Sequence, residues 1–163
     1  MKKKAALRLT RAALIAALYV ALTYVSAAFS LSSGVIQFRL SEMLCILPIF
    51  MPEAVVGLTL GCLLANLLTG CVFWDIIFGA VATFIGAIGA RLLRKLPERL
   101  KFIATVPTVF ANAIIVSFVL MYAYGAPGSY FYFALTVGIG EVVCASILGT
   151  AIYYPLKKIN FLK

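Results

Sequence analysis

The chain has 163 residues, of which 64% are hydrophobic and only 12% are charged. A soluble domain is about half apolar and about a quarter charged, so this composition excludes an ordinary water-soluble globule and predicts an all-α integral membrane protein. The formal net charge is +9, but the basic residues form short runs between long apolar stretches, which excludes a basic surface for nucleic acid.

The length of the apolar stretches predicts the number of helices. An α-helix needs roughly 20 apolar residues to cross about 30 Å of hydrocarbon. By this measure the sequence predicts six transmembrane helices in a single domain that covers residues 1–163. The second helix contains Pro48, which we expect to kink or terminate it. The approximate spans are 7–29, 35–51, 53–69, 74–93, 102–124 and 130–154.

The distribution of Lys and Arg predicts the orientation. With six spans, the N-terminal region, the loop between spans four and five, and the C-terminal tail lie on the same side. These regions contain every basic residue except Arg39. The positive-inside rule therefore places both termini in the cytoplasm. The alternative that the first stretch is a cleavable signal peptide stays open, although that stretch is longer than a usual signal core and contains Arg8 and Arg11.

Two charged residues lie in the second predicted helix. Arg39 and Glu42 are three positions apart and therefore share one helix face. They could form an intrahelical pair that neutralises both charges, or they could form the polar wall of a cavity that opens outward. The spacing does not decide between these interpretations.

Glu141 is the most informative polar residue, because it lies midway along the sixth predicted helix with no cation within one turn. An isolated carboxylate at that depth must be protonated, paired across helices or exposed to a watery site. Asn66 in the third helix and Asn112 in the fifth add amide groups at middle or outer depth. Hydrogen bonding between helices is one explanation. The combination with Arg39 favours a pocket that opens to the outside and binds a polar, neutral or weakly cationic molecule.

Other polar and aromatic residues lie near predicted helix ends. Asp75 and Glu53 begin the fourth and third helices, where an acidic residue caps the helix or complements its dipole. The aromatic residues around the last outer loop, among them Tyr130, are typical of an interfacial belt. A lid that stacks on a ring-shaped ligand is the alternative.

Small residues recur along the first helix. Ala13, Ala17 and Ala21 are spaced by four and therefore form one strip on the helix surface. Such a strip could pack against another helix of this chain or dock on a separate membrane partner. The spacing alone is compatible with both.

Catalytic and metal-binding motifs are absent from the sequence. It contains no histidine and no P-loop, and its four cysteines lack CxxC spacing and are expected to pack as small apolar residues. We therefore expect no enzyme activity, no cofactor and no metal site. A polar pocket without an energy-coupling motif predicts a substrate-binding membrane subunit that depends on a partner to drive uptake.

The segment 35–42, VIQFRLSE, resembles the QueT family of queuosine-precursor transporters, which are substrate-binding (S) components of energy-coupling factor (ECF) transporters. The resemblance continues in order along nearly the whole chain. It includes Leu47-Pro48, Gly57-Leu58, Gly61-Cys62, Ala65-Asn66, residues 75–79 (DIIFG) and Gly140-Glu141.

The resemblance implies an S-component bundle of six helices with a pocket reached from outside. It implies that the chain topples against a transmembrane coupling subunit that works with two ATPases, and that the strip Ala13, Ala17, Ala21 docks on the coupling subunit. The implied substrates are queuosine, queuine or a pre-queuosine base. Their guanine-like edge carries N–H donors that suit the Glu141 carboxylate.

Further residues are expected around that edge. Arg39, Gln37 and Asn66 would bind the carbonyl or the side group, and Trp74 or a loop tyrosine would stack on the ring. The substrate-binding set expected from the sequence is Glu141, Arg39, Gln37, Glu42, Asn66, Asn112, Trp74, Asp75 and Tyr130.

Three alternatives to this function stay open. The nearest is an S component for another vitamin such as a flavin, thiamin or folate. The second is a self-sufficient channel or proton-coupled carrier with Glu141 as its proton site. The third is a small structural or assembly membrane protein that binds no ligand.

Overall fold

The computed structural model of the chain describes residues 2–29 and 38–158, and every regular element in these ranges is helical. The predicted all-α class is therefore confirmed. A π-helical segment, Val142–Leu148, joins the last two α-helices into one continuous helix, and a 3₁₀ segment, Glu98–Thr105, precedes α4. In chain order the main elements are α1 (Lys2–Ala28), a 3₁₀ helix (Leu40–Ile49), α2 (Glu53–Leu68), α3 (Phe73–Leu92), α4 (Val106–Tyr122), α5 (Tyr130–Glu141) and α6 (Gly149–Lys158).

The helices differ in whether they are long enough to span a membrane. Within the residues that the structure describes, four are long and apolar enough, namely Lys2–Ala28, Phe73–Lys95, Glu98–Tyr122 and Tyr130–Lys158. The other two apolar helices are shorter, with 10 residues in the 3₁₀ helix and 16 in α2. At about 2.0 Å and 1.5 Å per residue, they extend about 20 Å and about 24 Å, less than the hydrocarbon thickness of about 30 Å.

The 3₁₀ helix corresponds to the second predicted span, of which residues 35–37 lie outside the described part of the chain. It contains Pro48 and ends one residue later, as expected for a residue that cannot donate a backbone hydrogen bond. Its residues from Leu44 to Ile49 are buried, and it packs against α1, α3, α6 and the π-helical segment. Because the 3₁₀ helix is packed inside the bundle, its N-terminal polar residues Ser41 and Glu42 are buried there.

Close packing of α1 on α2 depends on two glycines. A Cβ atom at Gly57 would lie 2.7 Å from the carbonyl oxygen of Ala12, and one at Gly61 would lie 2.8 Å from the Cβ of Tyr19 and 3.0 Å from the Cα of Ala16. These distances leave no room for a side chain, which is the reason that small residues are favoured where membrane helices cross closely. The contact fixes Tyr19 against α2.

The three basic regions of the sequence come together at one end of the bundle, which we call the basic end. Arg11 of α1 pairs with Glu53 of α2 at 3.3 Å, and Lys157 of α6 pairs with Glu98. Arg91 donates to backbone carbonyls at the end of the 3₁₀ helix at 3.1 and 3.2 Å. Glu53 lies in the first turn of its helix, as predicted, and also forms a tertiary ion pair.

Candidate functional site

A buried polar network lies at the end of the bundle opposite the basic end. The Arg39 guanidinium lies 3.8 Å from the Asp75 carboxylate and donates to Asn66 Oδ1 at 3.4 Å. Asn66 Nδ2 donates to the backbone oxygen of Asp75 at 3.1 Å, and the Tyr124 hydroxyl donates to Asp75 Oδ2 at 2.9 Å. We call these four residues the Arg39 network. It brings together three of the residues expected from the sequence and adds Tyr124.

The local sequence explains how α2 and α3 contribute to this network. Asn66 lies in the last turn of α2 and Asp75 in the first turn of α3, where a carboxylate also complements the helix dipole. The connection between them turns through Gly70, whose φ of 75° favours glycine. A Cβ at Gly79 would lie 2.7 Å from Asn66 Nδ2. Because glycine has no side chain, the Asn66 amide fits between α2 and α3.

Glu42 is held separately from Arg39. Tyr19 donates its hydroxyl to Glu42 Oε1, and the Cys45 thiol donates to Oε2 at 3.1 Å. Arg39 precedes the 3₁₀ helix in an extended conformation, with φ −95° and ψ 100°, so its side chain leaves the helix face that carries Glu42. Of the two interpretations of the Arg39 and Glu42 spacing, the intrahelical pair is therefore not formed, and Arg39 pairs with Asp75 instead.

Glu141 and Asn112 carry unused hydrogen-bonding capacity. Both side chains are buried, at 6% and 4% exposure. Among the described residues, Asp75 Oδ1 has no hydrogen-bond partner. Glu141 Oε2 and Asn112 Nδ2 have no hydrogen bond of good geometry, although the Asn112 amide lies close enough to interact with the Glu141 carboxylate. The charges of Glu42 and Arg39 lie close enough to Glu141 to interact with it. A buried polar group without a partner is costly, so these atoms are suited to a polar ligand.

The backbone at Glu141 is also irregular. The carboxylate lies on the last residue of α5, and the π-helical segment begins directly after it. Short π-helical segments within α-helices occur frequently at functional sites, because the wider turn changes the direction of the following side chains. The most informative residue of the sequence therefore lies at a break in helical geometry.

The remaining expected site residues lie elsewhere. Trp74 is 54% exposed, stacks on Phe78 and lines a largely apolar groove of about 540 Å³ between α3 and α4. Tyr130 packs on Phe118, with ring centroids 4.5 Å apart, and its hydroxyl donates to the Ile114 carbonyl. Their assignment to the ligand stays a prediction. Gln37 lies outside the described residues.

Sequence reasoning did not identify Tyr19, Tyr124 or Cys45 as part of the site. Tyr19 shares the buried face of α1 with Ala12 and Ala16, so helical periodicity could have placed its hydroxyl inside the bundle. Tyr124 is one of the aromatic residues around the last outer loop, for which the sequence left an interfacial belt and a ligand lid as alternatives. No local signal distinguishes it from its neighbours, because its partner Asp75 is 49 residues away.

The alanine strip of α1 lies on the other side of that helix. Ala13, Ala17 and Ala21 are exposed, whereas Ala12 and Ala16 face α2. The three residues of the strip are exposed within the described part of the chain, and their role in docking stays a prediction. The strip is accessible to lipid or to a partner.

Comparison with known proteins gave one family and one relative of known name. The model of the QueT transporter family matches residues 9–158. The queuosine precursor transporter QueT of Lactococcus lactis subsp. cremoris (strain MG1363) is 36% identical over 99 residues, which cover 60% of this chain and 58% of that relative. The chain thus aligns with less than two thirds of the relative's length. No solved structure matches the chain.

Proposed function

The chain belongs to the QueT transporter family, and from this premise we propose that it is the S component of an ECF-type importer for queuosine or its 7-deazaguanine precursors. The observation that carries the proposal is the buried carboxylate of Glu141, which lies beside the Asn112 amide and whose Oε2 has no hydrogen bond of good geometry. A few convergent polar groups inside an otherwise apolar bundle are typical of a small-molecule site.

The proposed orientation places the basic end in the cytoplasm. In this orientation all six helices lie in the cell membrane, both termini are cytoplasmic, and the Arg39 network faces outside. The gathering of Arg11, Arg91 and Lys157 at a single end supports this arrangement. The 3₁₀ helix and α2 are shorter than the hydrocarbon thickness, so the residues that flank them would cross the rest of the membrane.

The chemistry of the ligand fits the buried groups. A 7-deazaguanine presents a ring N–H and an amino group on one edge, and a carboxylate accepts such a pair through its two oxygens. We assign this role to Glu141, with Asn112 beside it. Arg39 and Asn66 can bind the carbonyl of the same ring. Glu42 and Asp75 fix the surrounding polar groups through Tyr19 and Tyr124.

Uptake requires partners in this proposal, because the sequence contains no nucleotide-binding motif. A transmembrane coupling subunit and two ATPases would supply the energy. The exposure of Ala13, Ala17 and Ala21 supports the assignment of this strip as the docking surface for the coupling subunit. Small side chains allow two membrane helices to approach closely without a polar contact.

Ligand binding to the detergent-purified chain tests the proposal. The panel contains guanine, queuine, pre-queuosine bases, flavin, thiamin and folate, and the variant is Glu141→Gln. Glu98→Gln is a matched control, since Glu98 is exposed at the basic end. We expect saturable binding of 7-deazaguanines that weakens by at least about tenfold in Glu141→Gln only, because a charged acceptor is replaced by a neutral one.

Other outcomes identify other functions. Tight binding of a flavin, thiamin or folate would retain the S-component architecture and replace the substrate. Uptake by the chain alone in proteoliposomes, without ATPases, would favour a proton-coupled carrier. A folded sample that binds nothing in the panel would contradict the proposal.

A further inference from the structure

An apolar groove of about 490 Å³ lies between α1 and α6, and the 3₁₀ helix forms its floor. Leu14 and Leu18 line it on α1, Leu47 on the 3₁₀ helix, and Ile152 and Leu156 on α6. The side chains of Leu14 and Leu18 are 67% and 46% exposed, so the groove is open at the surface of the bundle. An open apolar groove on a membrane protein is accessible to hydrocarbon.

One face of α1 joins this groove to a series of cations. Positions spaced by four and three residues lie on the same face of an α-helix. On this face of α1 they are Lys4, Arg8, Arg11, Ile15, Leu18 and Leu22. Arg11 lines the groove and pairs with Glu53 at the basic end, and Lys4 and Arg8 follow along the exposed first turns of the helix. The first acidic residue of the sequence is Glu42, so no acidic residue of α1 offsets these charges.

The dimensions of this face match one leaflet of a bilayer. From Arg11 to Leu22 the helix rises about 17 Å at about 1.5 Å per residue. Half of a hydrocarbon core of about 30 Å is about 15 Å. An acyl chain that lies in the groove would therefore place its headgroup beside the cations of α1. Basic pockets between membrane helices on the cytoplasmic side are known to bind anionic headgroups.

The groove differs from the alanine strip of the same helix. Close docking of a second helix favours small residues, whereas leucine and isoleucine side chains line the groove. Ala17 of the strip and Leu18 of the groove are consecutive, so they point about 100° apart. The strip therefore remains accessible when the groove is filled.

We propose that the groove binds one anionic phospholipid, whose acyl chain lies along Leu18 and Leu22 and whose phosphate is bound by Lys4, Arg8 and Arg11. The inference goes beyond the proposed function, because it concerns a second ligand on another face of the chain and holds for any transported substrate. The floor of the groove belongs to the 3₁₀ helix. The bound acyl chain therefore also stabilises the element that carries Glu42.

Native mass spectrometry of the purified full chain tests the headgroup. The chain is titrated with phosphatidylglycerol and with phosphatidylcholine of the same acyl chains. We expect one bound phosphatidylglycerol with an affinity at least about tenfold above that of phosphatidylcholine, since each cation beside an anionic headgroup contributes about fivefold. Arg8→Gln should lower the affinity for phosphatidylglycerol about fivefold and leave phosphatidylcholine unchanged. Arg99→Gln is the matched control, because Arg99 is exposed at the basic end and does not line the groove.

A second variant tests the acyl chain. Leu18→Trp fills the groove from a partly exposed position, so the protein should fold and lose the binding of both lipids. Leu135→Trp, at an exposed position of α5, controls for the added bulk. A ligand that binds only the folded state raises its stability, so phosphatidylglycerol should raise the Tm of the native chain and not that of Leu18→Trp.

The outcomes distinguish lipid from other occupants. Equal affinity of the native chain for the two lipids, or unchanged lipid binding by a folded Leu18→Trp protein, would overturn the proposal. Loss in Leu18→Trp of a dimer or of the complex with the coupling subunit, with lipid binding intact, would assign the groove to a protein and overturn it as well. None of these measurements uses a nucleobase, so the proposed function can fail while this inference holds, and the reverse.

Discussion

The carboxylate of Asp75 lies 3.8 Å from the guanidinium of Arg39, and this pair connects the first turn of α3 to the residue that precedes the 3₁₀ helix. The hydroxyl of Tyr124 donates to the same oxygen, Oδ2, and brings the end of α4 into the network. Elements distant in sequence are thus held together by one buried carboxylate. The pair therefore joins separate elements of the fold, whether or not a ligand is bound.

Loss of the Asp75 charge should destabilise the protein. Asp75→Asn removes the countercharge of a largely buried guanidinium, and breaking such a pair from one side costs about 3–5 kcal/mol. We expect a lower Tm in detergent for Asp75→Asn. The double variant with Arg39→Gln should recover part of the loss, because neither residue then leaves an unpaired charge. A double variant whose losses simply add would show that the two residues do not interact.

The sequence predicted the helical class and the approximate position of every main element, because apolar length and charge runs are local properties. It also predicted that Arg39, Asn66 and Asp75 belong together. It did not predict the pairing, since the choice of Asp75 over Glu42 depends on the extended conformation at Arg39. Nor could local sequence distinguish a 3₁₀ helix of ten residues from a spanning α-helix.

Helical periodicity explains why the adjacent residues Trp74 and Asp75 lie in different surroundings. Trp74 and Asp75 are adjacent in the first turn of α3, and consecutive residues of an α-helix point about 100° apart. They therefore cannot share one direction into the bundle. The structure turns Asp75 inward and leaves Trp74 beside Phe78 in the apolar groove. Both residues belong to the binding set expected from the sequence, and the stacking of Trp74 on a ligand stays a prediction.

A side chain at Gly61 should separate α1 from α2. The added Cβ of Gly61→Ala would lie 2.8 Å from the Cβ of Tyr19, and overpacking of this kind costs about 1–3 kcal/mol. We expect a lower Tm and weaker ligand binding, because Tyr19 holds Glu42. Gly138→Ala is the matched control, since the nearest atom to the added Cβ would be the Cβ of Ala113, at 3.7 Å. Equal tolerance of both substitutions would contradict the packing argument.

The alanine strip should matter for uptake and not for binding. Ala17→Leu adds bulk to an exposed face of α1, so the isolated chain should fold and bind ligand as before. Uptake by the chain with its coupling subunit and ATPases should fall, because close helix approach requires small residues. Ala151→Leu, at an exposed position of α6, controls for added bulk. Uptake that is unaffected by Ala17→Leu would remove the strip as the docking surface.

The hydrogen bond from Tyr19 to Glu42 can be isolated with a conservative variant. Tyr19→Phe keeps the ring and leaves one oxygen of a buried carboxylate without its donor, and a hydrogen bond to a charged group contributes about 1.5–3 kcal/mol. We expect a clear decrease in Tm. Tyr24→Phe, also on α1, removes an exposed hydroxyl that donates to the Leu68 carbonyl and should have little effect. The Tyr19→Phe effect should shrink in the Glu42→Gln background, where the acceptor is neutral, and an undiminished effect there would mean that Tyr19 acts through packing alone.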